Sequence, residues 1–178
     1  MLFAELEPFL DKKRKELLEA LSAFGKNERE YTEYEGGWNI SEIVEHLCIV
    51  EEQVIHTIGQ MLRDAPSKPT ESEEDKIVDI TEIFRRNGLL GSRKQSPPEA
   101  VPAGTWGYDA GLYRLAEVRS RLKAYLPELA GRATNGITAR HPLGVELNVC
   151  QWVLFSAFHE WAHLHQIKRI RQAHDPAL

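Results

Sequence analysis

Apolar residues recur every three or four positions in four stretches of the chain, the period of a helix that buries one face. The first stretch covers residues 3 to 24. The second opens at "GWNISEIVEHL", where Asn39 is placed to cap a helix and Glu42 stands three residues later, a variant of the capping box. Ile40, Ile43, Val44, Leu47, Val50, Val54 and Ile58 form its stripe, and Asp64 and Pro66 mark its end. The third stretch runs from about Asp109 to Leu126, with Leu112, Leu115, Ala116, Leu122 and Leu126 turned inward. The fourth starts at "ELNVCQW", where Asn148 caps and Gln151 takes the reciprocal position, and it continues to about Gln172.

Between the second and third helices lies a long connection that begins with Glu71, Glu73, Glu74 and Asp75. A short helix is predicted over about residues 74 to 86. After it, "NGLLGSRKQSPPEAVPAGTWG", residues 87 to 107, is rich in Gly and Pro and has no apolar period, so it reads as a surface excursion. Loops of this length in compact domains are often functional. No β-alternation is sustained, and no repeat is present. The pattern predicts an all-α fold, a four-helix bundle with a long crossover between helices two and three. With 178 residues, 42% of them hydrophobic, the chain is expected to form one domain over residues 1–178.

Charge narrows the partners. A net charge of -5 gives no broad positive field to hold a nucleic-acid backbone, so neither DNA nor RNA is expected. The run Lys12-Lys13-Arg14-Lys15 is flanked by acidic residues and reads as a solvated helix face. Cys48 and Cys150 form no C-x-x-C pair, which suits the reducing cytoplasm. The N-terminus lacks the features of a signal peptide, and no stretch approaches the ~20 apolar residues of a membrane span.

The fourth helix carries the chemistry. His159 and His163 frame Glu160 in the pattern H-E-x-x-H, and residues four apart on a helix lie one turn apart on one face. That face also holds Trp152, Phe155, Ala162, Gln166 and Ile170, so both imidazoles are expected to point into the bundle. Two neighbouring buried rings cannot both be protonated cheaply, whereas a divalent cation satisfies both nitrogens. A zinc peptidase with this motif needs a third ligand downstream. The fifteen residues after His163 contain no glutamate, and the extended-motif position is Arg169, which disfavours that reading. His165 points elsewhere, while His56 and His174 read as structural or solvent-exposed. The third ligand must come from another helix, and His46, at the edge of the second stripe, is the candidate. Glu160 is turned about 100° from His159 and is expected to make a surface contact or one just outside the ligands. Glu42 and Glu45 are placed to orient the second nitrogen of His46, and Gln166 stands beside His163.

"GWNISEIVEHL" followed by "HPLGVELNVCQWVLFSAFHEWAHLHQIKRI" resembles the DinB family of metal-dependent proteins, and its YfiT-like branch in particular. Three places carry the resemblance: His46 in its W-x-I-x-E-I-x-E-H-L setting, His141 to Leu147, and His159, His163, Gln166 and Ile167. Trp161 and Ala162 depart from it, standing where relatives often carry arginines. The resemblance implies a four-helix bundle, a three-histidine site for one divalent ion (zinc, nickel, iron or manganese), and frequently a homodimer. It also implies a hydrolase or a thiol-dependent S-transferase or isomerase, acting on a small-molecule substrate or with a low-molecular-weight thiol. A non-catalytic, metal-stabilised bundle or interaction protein is the alternative. Leu154, Phe158 and Trp161 form a second apolar row on the last helix, which a partner subunit would cover.

Overall fold

Leu6, Leu10, Leu17 and Leu21 fall on one stripe and are buried in the first long helix, α1 (Leu6–Ser22), which follows a 3-10 turn at Phe3–Glu5. The computed structural model describes residues 1–64, 77, 79–89, 95–130 and 136–175. Helix α2 (Ile40–Asp64) buries all seven residues of its expected stripe. A short α3 (Ile80–Arg86) is capped by the Asp79 carboxylate, which accepts from Thr81 N–H at 2.8 Å. It is shorter than the predicted 74 to 86; residues 74–76 and 78 lie outside the described residues, as do the acidic positions 71, 73, 74 and 75. Helix α4 (Tyr108–Lys123) and the single turn α5 (Leu126–Leu129) follow. A two-stranded antiparallel hairpin, β1 (Thr138–Arg140) and β2 (Glu146–Asn148), leads directly into α6 (Val149–His174).

The hairpin was not legible as strands because each is three residues long, too short for alternation to register. Its turn is built from "HPLGV": Gly144 takes φ +88°, a left-handed conformation that favours glycine, and His141 N–H donates to Val145 O at 2.7 Å.

Helix directions follow from the pairings. Gly111 approaches Val44, Arg119 meets Glu51, and Arg121 pairs with Glu52, so α4 runs parallel to α2. Two parallel neighbours cannot be joined by a tight turn, which is the physical reason for the long crossover between them. On the other side, Phe9 meets Phe158, Arg14 meets Glu160 and Arg171 lies over Phe24, so α1 and α6 are also parallel. Gly111 sets the closeness of α4 to α2, because a Cβ there would stand 2.9 Å from Val44 Cγ1. The expected stripe of α4 is partly corrected: Ala116 is exposed and Leu112 half-buried, while Gly111, Leu115, Val118, Arg119 and Leu122 face inward.

The apolar core divides into two clusters. One gathers Leu6, Leu10, Val54, Ile58, Val118, Leu122, Val153 and Ala157; the other gathers Leu17, Leu21, Ile43, Leu47, Leu115, Leu164 and Ile167. Between them each of the four long helices places one charged residue: Arg14, Glu51, Arg119 and Glu160, all buried. Arg14 is thus a correction to the reading of the Lys12–Lys15 run as a wholly solvated face. Leu154 is buried and Phe158 packs against Phe9, so α1 covers most of the second apolar row of α6; Trp161 stays exposed, with its edge against His165. No helix among the described residues is long and apolar enough to cross a membrane.

Candidate metal centre

Two capping boxes start the helices that carry the histidines. Asn39 N–H donates to Glu42 Oε2 at 2.8 Å while Glu42 N–H donates to Asn39 Oδ1 at 2.9 Å. Asn148 and Gln151 exchange the same pair of bonds, each at 2.9 Å. These boxes satisfy backbone N–H groups that have no intrahelical partner and so fix where each helix begins. His46 then falls on the buried side of α2, and His159 and His163 share a face of α6.

The three rings converge through their Nε2 atoms. His159 Nε2 lies 3.2 Å from His46 Nε2 and 3.2 Å from His163 Nε2, and all three ligand atoms fall within 4.8 Å of one another. Nitrogens bound to one tetrahedral ion at 2.0–2.1 Å stand roughly 3.3 Å apart, so two sides of this triangle already have the spacing of a shared cation. The outer nitrogens set the tautomers. His46 Nδ1 is 2.6 Å from Ala100 O, a carbonyl that can only accept, so the ring proton sits on Nδ1 and leaves a lone pair on Nε2. His163 Nδ1 donates to Gln166 Oε1 at 2.8 Å with the same consequence. A proton on His159 Nε2 could serve one of these lone pairs and not both. A cation at the centre accepts from all three, and the donor set therefore fits a divalent metal.

Electrostatics keep the rings neutral. Burial, with the charge of His46, holds His163 down at about 3. Burial pushes His159 well below the ordinary imidazole range, and His163, His46 and His141 add to that push. Burial also lowers His46, against the opposing hydrogen bond to Ala100. His46 is sealed, whereas His159 and His163 are only half-buried, so one side of the cluster opens to solvent. The Trp38 ring covers His46 at 4.7 Å between centroids, and Phe155 lies 5.5 Å from His159.

Other residues singled out in the sequence fall elsewhere. Ala162 is exposed and does not share the buried ligand face. The partner of His46 Nδ1 is Ala100 O, in place of Glu42 or Glu45: Glu42 is occupied by the Asn39 cap, and Glu45 binds backbone amides of Ala103 and Trp106. His141 lies in the hairpin turn, where its Nδ1 accepts from Leu143 N–H at 3.1 Å, and its ring meets Phe155 at 4.5 Å on the way to His159. Burial takes His141 down to about 4. His56 is exposed, as are His165 and His174; the last stacks on Tyr31.

Glu160 turns away from the cluster and is buried, in place of the expected surface or near-ligand contact. Arg14 Nε donates to Glu160 Oε1 at 2.6 Å, and Arg119 Nη2 lies 3.0 Å from the same oxygen. Glu51 completes the quartet, accepting from Arg14 Nη2 at 2.6 Å and from Arg119 Nε at 2.5 Å. Arg119 Nη1 also donates to Leu10 O at 3.0 Å. Burial pushes the Glu160 carboxyl up, with Arg119 and Arg14 opposing. A glutamate spent in this way does not serve as the base of a peptidase. The signal for the quartet was present in the sequence: Arg14 sits between Leu10 and Leu17, and Glu160 between Ala157 and Leu164, on apolar stripes.

Residues 10–167 match the family model of the DinB superfamily. The chain belongs to that superfamily. It is 28% identical over 136 residues to the uncharacterized protein YuaE of Bacillus subtilis (strain 168), covering 76% of this chain and 78% of YuaE. Its fold is similar to that of TT2238, described as a four-helix bundle protein, with a TM-score of 0.61 at 20% identity over 93% of this chain and 98% of that one. An uncharacterised protein from Escherichia coli UTI89 gives a TM-score of 0.60 at 10% identity, over 98% of this chain and 95% of that one. Superfamily membership and the histidine cluster are both compatible with metal binding.

Proposed function

We propose that this DinB superfamily protein is a metal-dependent enzyme whose single divalent ion is held by His46, His159 and His163. The observation that carries the reading is the convergence of three Nε2 atoms, two of them stripped of protons by acceptors on the far side of their rings. Three protein ligands with an open side are the arrangement of a catalytic and not of a closed structural site. Imidazole donors accept zinc, nickel, iron or manganese. When bound, the cation supplies the Lewis acidity that lowers the pKa of a water or a thiol, the basis of a hydrolase or of a thiol-dependent S-transferase or isomerase. The protein's own part is to keep the three rings neutral, orient two of them through Ala100 and Gln166, and exclude solvent on the His46 side while admitting it at His159 and His163. The reducing cytoplasm suits the buried thiols of Cys48 and Cys150.

Purified protein should carry about one divalent ion per chain, and His163→Ala should lose it while far-UV circular dichroism keeps the helical signal. Collapse of the helices on losing the ion would transfer the metal to the non-catalytic reading, a tie between α2 and α6. In cobalt-loaded protein, a thiolate charge-transfer band on adding a low-molecular-weight thiol favours the transferase branch, and its absence favours water. The homodimer rests on the exposed Trp161, since α1 covers the rest of that row; sedimentation at rising concentration, with Trp161→Ser as comparison, tests it.

A further inference from the structure

The Gly- and Pro-rich segment after α3 ends in a collar held against the N-terminal half of α2. It begins with a 3-10 turn at Pro98–Ala100 and continues to Gly107, the residue before α4. Ala100 is 1% exposed, and its carbonyl is the acceptor for His46 Nδ1. Farther along α2, Gln53 Nε2 donates to Glu99 O at 3.0 Å. On the near side, the Glu45 carboxylate, itself 2% exposed, accepts from Ala103 N–H at 3.0 Å and from Trp106 N–H at 3.4 Å. Gly104 takes φ +68° between those two amides, and a Cβ there would stand 3.3 Å from Glu42 Oε1. The far end is weighted by Trp106, whose ring lies 4.5 Å below the Arg114 guanidinium.

We infer that Glu45 is the positioning residue of the metal centre, acting through the backbone of residues 100–106: by clipping the amides of Ala103 and Trp106 it holds the Ala100 carbonyl against His46. This rests on the proposed metal-binding role of the triad. The reasoning is a chain of tautomers. A metal takes the lone pair of His46 Nε2, which exists only while the ring proton stays on Nδ1, and Ala100 O is what keeps it there. That carbonyl ends a single 3-10 turn in a connection with no longer element to hold it, so its place depends on what anchors the connection. Glu45 is the buried anchor on the side that leads to α4, and it stands next to His46 in the chain, so one turn of α2 supplies both the ligand and the clip for its orienting group. Glu42 is no substitute, since both its backbone amide and its carboxylate are engaged with Asn39.

The test uses the full chain, zinc as the probe, and Glu45→Ala beside Glu45→Gln. Zinc affinity of Glu45→Ala should fall about 10–100-fold, the usual loss when a group orienting a ligand is removed, with helical circular dichroism unchanged. Glu45→Gln keeps one acceptor oxygen and should lose less. In metal-free protein, long-range proton–nitrogen spectra should place the His46 proton on Nδ1 in wild type and show it leaving that nitrogen in Glu45→Ala, with faster amide exchange at Ala103 and Trp106. Unchanged zinc affinity, or a His46 proton that stays on Nδ1 in the variant, overturns the inference while leaving the triad's metal role intact. If wild type takes up none of zinc, nickel, iron and manganese, the metal reading fails by itself, and the tautomer and exchange measurements still decide whether Glu45 places Ala100. Should Glu45→Ala not fold, Glu45→Gln carries the same three readouts.

Discussion

His159 and Glu160 are neighbours on α6, yet their side chains enter two polar clusters built in opposite ways. Glu160 joins a closed quartet of two arginines and two glutamates, one from each long helix, in which every charge faces an opposite charge inside the core. His159 joins an open triad of neutral rings that face each other through nitrogens of one kind, half-buried at the edge of the bundle. The quartet pairs its charges within the protein, although Glu160 Oε2 and Arg119 Nη2 have no hydrogen-bond partner among the described residues, the latter being held by its ion pair to Glu160 Oε1. The triad is not satisfied in this way: its Nε2 atoms face one another at 3.2 Å, and one shared proton cannot serve all of their lone pairs. The difference shows how one H-E-x-x-H segment divides between architecture and chemistry, because one residue along a helix rotates a side chain by about 100°.

The largest expected effect breaks the quartet. Glu160→Ala leaves two buried guanidinium groups sharing one carboxylate, and should cost about 3–5 kcal/mol of stability in urea denaturation, with or without metal. A loss of metal affinity without loss of stability would place Glu160 in the other cluster. Gln166→Ala addresses the triad: removing the acceptor on His163 Nδ1 should weaken zinc binding about 10–100-fold by competition with a chelator, while metal-free stability moves little. A comparable fall in stability would erase the distinction between the clusters. A third effect is confined to acid and leaves stability at neutral pH unchanged. His163 is held at about 3 and His141 at about 4, both below the ordinary value near 6.5, so the unfolded chain binds more protons than the folded one between these limits. Metal-free protein should therefore be most stable above pH about 6.5 and lose stability as pH falls toward 4 and 3, and replacing His163 by Asn should flatten part of that slope. A profile indifferent to the replacement would show that the triad does not carry the titration.

Much of the bundle was legible. The stripe of α2, the caps at Asn39 and Asn148 and the long crossover all follow from periodicity and local capping, which act over a turn or two of chain. What escaped was short or distant. The hairpin at 138–148 is too brief to alternate, and Ala116 fits the period of α4 yet is exposed, because periodicity locates a stripe only to within about one residue's rotation. Arg14 was hidden among lysines, although its place between Leu10 and Leu17 put it on the buried face.

For the candidate site, the spacing of His159 and His163 decided by itself that two imidazoles share one face of one helix, since that is a property of helical geometry. It decided too that Gln166 lies within reach of His163, one turn away. Only the tertiary structure brought His46 across from α2 to the same point, sent Glu160 to Arg14 and Arg119, and set the carbonyl of Ala100 on His46. Those contacts join residues from 41 positions apart, Arg119 with Glu160, to 146 apart, Arg14 with Glu160, and nothing in local sequence fixes how two helices rotate against each other or where a loop's backbone comes to rest.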